Sequence, residues 1–132
     1  MIYEPKNFKL ENTTIWGFKE RGNWATHKGD YRGNCPPQVP RNLILKYTKE
    51  NDVVLDPFCG SGTAMIECKL LNRKGLGIDV NIEALQIARK RLKFKCNTNF
   101  EPKLLRANSI NLQIPDEKID YIFAHPPYAN II

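Results

Sequence analysis

From residue 37 onward, short solid apolar runs take turns with stretches in which apolar residues recur every three or four positions. Val53-Val54-Leu55 is an unbroken apolar run that reaches Asp56 and stops at Pro57, as expected of a strand covered on both faces. Gly75 to Asp79, Lys103 to Arg106 and Ile119 to Ala124 read as three further strands, with Tyr121 to Ala124 inside the last. Between them lie helical patterns. Leu43, Ile44 and Tyr47 share one face of a helix predicted over Val39 to Lys49, where Pro40 is tolerated in the first turn. A second helix opens at Ser61 or Gly62 and runs to about Asn72, with Met65, Ile66, Leu70 and Cys68 directed inward. A third spans about Asn81 to Lys95, its apolar face made by Ile82, Leu85, Ala88 and Leu92, with Asn81 as N-cap and Glu83 in the first turn. Strands alternating with helices in this way predict an α/β fold with a parallel sheet and right-handed crossovers.

Length and composition narrow this further. A chain of 132 residues makes one domain at most. Residues 1–36 are polar, aromatic and turn-rich, and are expected to form an N-terminal extension to a domain at 37–132. Within the extension, Thr14 to Phe18 has the look of a short strand. The net charge of +6 suits a polyanionic partner without demanding one. Neither a secretory signal nor an apolar run of roughly eighteen residues, the length of a membrane span, is visible, so the cytoplasm is the expected location. Cys35, Cys59, Cys68 and Cys96 show no zinc spacing and read as reduced thiols, so no metal is expected.

Two segments carry chemistry. In Asp56-Pro57-Phe58-Cys59-Gly60-Ser61-Gly62-Thr63 a strand passes through two glycines into a helix, which builds a pocket at the carboxyl edge of a parallel sheet. It is not the dinucleotide pattern, since its glycines are only two apart and no third follows at the required offset. About sixty residues later, His125-Pro126-Pro127-Tyr128 forms a stiff turn at the end of the fourth strand.

The first segment resembles motif I of the S-adenosylmethionine-dependent amino-methyltransferases that modify nucleic-acid bases. The second resembles their motif IV, with His125 standing where the family usually has Asp, Asn or Ser. Pro37-Gln38-Val39-Pro40-Arg41-Asn42 is similar to motif X, which closes over the methionine end of the cofactor. The implied fold is a Rossmann-like methyltransferase sheet with flanking helices, incomplete here at about four strands of the family's usual seven. N4-cytosine and N6-adenine DNA enzymes are the nearest in pattern.

The resemblance implies a cofactor site in S-adenosylmethionine's own terms. Gly60 and Gly62 let backbone approach the methionine end, and the helix starting near Ser61 directs amide hydrogens at its carboxylate. Asp56 would receive the ammonium, and Thr63 is either a further polar contact or a helix cap. Asp79, twenty-three residues beyond Asp56, would accept both ribose hydroxyls. Val80 and Ile82 would border the adenine, Asn108 would read its amino group, Phe58 would pack beside the pocket, and Pro40 would lie in the covering segment.

At the fourth strand the implied chemistry is methylation of an exocyclic base amine. His125 through a neutral ring nitrogen and the Pro126 carbonyl would accept the two amino protons, Pro127 would stiffen the turn, and Tyr128 would stack on a flipped base. DNA is the expected substrate, RNA the alternative, and a non-catalytic half needing a second chain the other reading. Trp24 to Asn34 is rich in base-contacting residue types, but equally suits a loop packed onto its own domain. The basic run Arg89 to Lys95 reads as a solvated helix end. A sheet ending at strand four leaves an edge that invites a companion chain or self-association.

Overall fold

The computed structural model describes residues 4–6, 8–11, 20–29, 35–108 and 119–125. Seven elements follow in order: α1 (Gln38–Tyr47), β1 (Val53–Asp56), α2 (Thr63–Leu70), β2 (Lys74–Asp79), α3 (Ile82–Arg91), β3 (Lys103–Arg106) and β4 (Tyr121–Ile122). The four strands form one parallel sheet in the order β3-β2-β1-β4. From β1 the chain steps outward through β2 to β3, then returns to the other side of β1 as β4. The topological switch point therefore lies between the carboxyl ends of β1 and β4, where open α/β sheets bind ligands. The two crossover helices α2 and α3 step the same way and so share one face of the sheet.

Core packing explains why the strands sit so close to α2. A Cβ on Gly75 would come 2.9 Å from Met65 Sδ and 3.1 Å from Cys68 Cβ. A Cβ on Gly77 would come 2.9 Å from Met65 Cγ, 3.0 Å from Leu104 Cδ2 and 3.1 Å from Cys59 Cβ. The two glycines thus make a groove that seats the helix. Every residue of α2 from Thr63 to Lys69 is buried, so this helix has no solvent face and its inward positions are not separable by periodicity.

α1 begins one residue before the expected Val39, and the other helix ends fall inside the expected bounds for physical reasons. After Tyr47, Thr48 turns extended, and its hydroxyl donates to the Ile44 carbonyl at 2.6 Å while accepting from Arg73 Nε at 2.9 Å. The third helix stops at Arg91, short of Lys95, because Lys69 Nζ takes the carbonyls of Leu92 at 2.7 Å and Phe94 at 2.5 Å. Asn81 is the N-cap expected of it, accepting from the Glu83 amide at 2.9 Å. β4 keeps two residues of the expected Ile119 to Ala124, and Ile122 is 56% exposed rather than buried because it lies at the sheet edge, although the Phe123 amide still donates to the Leu55 carbonyl at 2.8 Å.

Several side chains lie elsewhere than expected. Tyr47 is 64% exposed and stacks on Tyr121 at 6.0 Å with 17° between planes, outside the core that Ile44 enters. Ile82, first in its helix, is 42% exposed while Leu85, Ala88 and Leu92 are buried. Met65, Ile66 and Cys68 are buried as expected, with Leu70 half-buried. Trp24 and His27 are buried against α2, so of the two readings of the Trp24 to Asn34 stretch the packed loop holds for them; residues 30–34 lie outside the described residues, as does Thr14 to Phe18. All four cysteines are free thiols. No described helix is long and apolar enough to cross a membrane, and no metal-binding cluster occurs among the described residues.

The glycine groove yields a direct expectation. Gly77→Ala should overpack the β2–α2 contact and lower stability by about 1 to 3 kcal/mol, read as a reduced urea midpoint with an unchanged slope.

Candidate cofactor site

The loop between β1 and α2 is folded by its own backbone onto the neighbouring strand. The Cys59 amide donates to the Ile78 carbonyl at 2.9 Å, pinning the loop to β2. The Gly62 amide returns to the Cys59 carbonyl at 2.8 Å, closing a turn in which Gly60 and Gly62 have φ of 51° and 89°. Both angles are left-handed, where a side chain is strained. Gly62 is doubly constrained, since a Cβ there would lie 2.9 Å from Ala88 Cβ on α3.

Asp79 ties this loop to the end of β2. Its Oδ2 accepts from the Gly60 amide at 2.9 Å and its Oδ1 from the Asn81 amide at 2.9 Å. A carboxylate offers about four lone-pair sites, which leaves acceptor capacity for two hydroxyls of a ligand. Asp56, at the end of β1, is 3% exposed and accepts from the Phe58 amide at 3.0 Å. The Asp56 carboxyl is pushed up to about 7, chiefly by burial, with the Phe58 amide opposing and the Asp79 charge adding to the rise.

Asp56, Phe58, Gly60, Ser61, Thr63 and His125 line one cavity of about 40 Å³, whose remaining wall is Cys35, Cys59, Ala64 and Phe123. At ~10–15 Å³ per water that is room for a few water-sized groups. It admits the small polar end of a ligand, and the rest must lie outside it. A larger groove of about 700 Å³, between Asn51, Leu76 and Asp120, carries none of the motif residues. It lies toward the amino ends of the strands, the edge that open α/β sheets do not use, and we therefore place the site at the smaller cavity.

Two buried groups fit an amino-acid terminus. Ser61 Oγ is buried with no hydrogen-bond partner among the described residues, an orphan that a carboxylate oxygen satisfies. The Asp56 carboxyl has no ion-pair partner among the described residues, which an ammonium would provide. Burial pushes the Cys35 thiol up to about 11 and raises Cys59 as well, so both are neutral walls rather than nucleophiles.

Other expected residues stand apart from the cavity. Val80 is 56% exposed, and Asn108 is exposed two residues past β3. The Ala107 amide donates to the Asp79 carbonyl at 3.1 Å and Arg106 Nε to the Val80 carbonyl at 3.1 Å, which gathers these residues at one rim. Pro57 is half-buried in the turn after Asp56. Pro40 is buried inside α1 and does not reach the cavity; the upstream residue that does is Cys35. Pro126, Pro127 and Tyr128 lie outside the described residues.

The sequence reading missed a polar cluster beside this site. Glu67, wholly buried on α2, accepts from Arg41 Nη1, Trp24 Nε1 and His27 Nε2, each at 2.7 Å. Its only signal was an acid within a helix of otherwise buried residues.

With this geometry in hand, comparison with known proteins decides the family. A family described as DNA methylase matches residues 3–90. The chain belongs to the DNA methylase family. It is 32% identical to the Type II methyltransferase M.HpaI of Haemophilus parainfluenzae, over 86% of this chain and 36% of that protein. It is 34% identical to the tRNA (guanine(10)-N2)-dimethyltransferase of Methanothermobacter thermautotrophicus, over 75% of this chain and 29% of that protein. Among solved structures, a SAM-dependent methyltransferase from Methanosarcina mazei superposes with a TM-score of 0.52 at 26% identity, over 61% of this chain and 39% of that one. The chain thus spans about a third of the length of the curated relatives it matches. The Rossmann-like methyltransferase sheet expected from the sequence is the fold found.

The buried carboxyl at position 56 has a pH signature. Its folded value lies above the ordinary range near 4, so between about pH 4 and 7 the folded state alone holds the proton. The stabilising contribution is full below pH 4 and is lost as pH rises through 7. At pH 8, Asp56→Asn should raise the stability of the ligand-free chain by about 1 to 2 kcal/mol, measured by urea unfolding, with the gain fading toward pH 5.

Proposed function

We propose that this chain binds S-adenosylmethionine and directs its methyl group to an exocyclic amine of a DNA base, N4 of cytosine or N6 of adenine. The observation that carries the reading is one cavity at the switch point lined by Asp56, Ser61 and His125. Family membership and the Type II methyltransferase relative support it. S-adenosylmethionine supplies an activated methyl on its sulfonium.

The chain's own residues do the rest. Asp56 and Ser61 hold the amino-acid end in the cavity, and Asp79 holds the ribose while its other lone pairs keep the loop closed. Val80 and Ile82 offer apolar surface for the adenine, and Asn108 its polar edge. His125, three residues past β4, accepts an amine hydrogen through a ring nitrogen. By the motif they resemble, Pro126, Pro127 and Tyr128 would orient and stack the base. Orientation and placed dipoles carry such a reaction, since the amine needs alignment more than activation.

An RNA base amine is the second reading, favoured by the tRNA-modifying relative. The two-residue β4 at the sheet edge supports the further proposal that a companion chain or a second copy completes the sheet. Sedimentation of the dilute chain should then show association; a lone monomer counts against that part.

Calorimetry with S-adenosylhomocysteine should show binding that weakens on acidification below about pH 7, with protons released on binding, because the Asp56 carboxyl must ionise to meet the ammonium. Asp56→Asn should abolish the binding. Radiolabelled methyl transfer to DNA and to RNA, with and without a downstream polypeptide of an M.HpaI-like relative, separates the substrate readings. Transfer should be lost in His125→Ala. A folded wild-type chain that binds no S-adenosylhomocysteine overturns the proposal.

A further inference from the structure

The buried carboxylate of Glu67 gathers partners from both stretches that flank Cys35. Its Oε2 receives Trp24 Nε1 and His27 Nε2 from the upstream stretch, and its Oε1 receives Arg41 Nη1 from α1 downstream. Because a carboxylate only accepts, His27 donates from Nε2. The Arg41 guanidinium also pairs with Glu4 and lies over the rings of Phe8 and Trp24, 5.4 Å and 5.5 Å from their centroids.

Further bonds join the two stretches directly. Arg21 Nη2 donates to the Cys35 carbonyl at 2.8 Å, and the Gly22 amide to Gln38 Oε1 at 2.9 Å. The Val39 and Arg41 amides donate to the carbonyls of Pro36 and Pro37 at 3.0 Å and 3.1 Å. Gly22 packs so tightly that a Cβ there would lie 2.3 Å from the Trp24 ring and 2.9 Å from Pro37 Cγ. Cys35, held by Arg21, forms part of the cavity wall.

We infer that Glu67 is a positioning residue for the cofactor cavity: through Trp24, His27 and Arg41 its carboxylate fixes Cys35 to Pro37 as a wall of that cavity. This rests on the reading that the cavity receives the cofactor, and it adds a group that never touches the ligand.

Cysteines already in the chain report on it. Cys35 marks the wall, while Cys68, wholly buried on α2 itself, marks the core. Iodoacetamide labelling of the native 132-residue chain, read by mass spectrometry, is compared in wild type, Glu67→Gln and Trp24→Phe, alongside the affinity for S-adenosylhomocysteine. Glu67→Gln should label Cys35 about tenfold faster while Cys68 stays protected, and weaken affinity by a similar factor, the size of losing a charge-assisted hydrogen bond. Trp24→Phe keeps the ring, removes one donor, and should show the same pattern more weakly; it serves as the test if Glu67→Gln does not fold. Cys35 and Cys68 accelerating together means that Glu67 merely holds the fold, and overturns the inference. So does a folded variant with unchanged labelling and affinity. If wild type binds no S-adenosylhomocysteine but Cys35 is still selectively released, the cofactor reading falls while the wall assignment stands.

Discussion

Placing an ionisable carboxyl in the middle of a fully buried helix costs several kcal/mol unless every oxygen is met by a donor. Glu67 meets that condition with three donors, none of which belongs to the sheet. The consequence is that residues 20–29 and helix α1 are bound to α2 by charge-assisted hydrogen bonds as well as by apolar packing. Without them the first third of the described chain would have little reason to settle where it does, since it contributes no strand. The indole and imidazole that make the stretch look like a nucleic-acid surface are consumed in this contact.

The cofactor loop is held by a similar economy of acceptors. Asp79 keeps Gly60 and Asn81 in place with one oxygen each, which shapes the turn before any ligand arrives. Asp56 is the opposite case, a buried acid with a single backbone donor and a neighbouring like charge. The site thus stores an unmet demand for a cation beside an unmet hydroxyl at Ser61. A cavity walled by two such groups is less stable than one whose polar atoms are all partnered.

Much of this was legible in the residues, for identifiable reasons. β1 and β3 were read at their observed bounds because each is a short run bounded by turn-forming or breaking residues. The loop was legible because two glycines after an acid at a strand end leave few other folds. Helix ends were less so, because Lys69 and Thr48, distant or local competitors for carbonyls, decide where α3 and α1 stop. Tyr47 shows the limit of periodicity: its spacing matches the core face, yet its ring finds a partner on Tyr121 at the margin. Glu67 was invisible because an acid in a helical run looks like solvent-facing surface until the partners, dozens of residues upstream, are folded against it.

β4 joins β1 through two residue pairs, whereas β1 and β2 share four, and it does so across a separation of 67 residues between Val53 and Asp120. Loop closure over that distance must be met before so small a ladder gives anything back. The glycine loop after β1 and the segment that follows β4 to His125 therefore belong to cooperative units of unequal strength. Fraying of the edge strand would loosen the segment that leads to His125 and leave the glycine turn intact, so the two sides of the cavity differ in how firmly the sheet holds them.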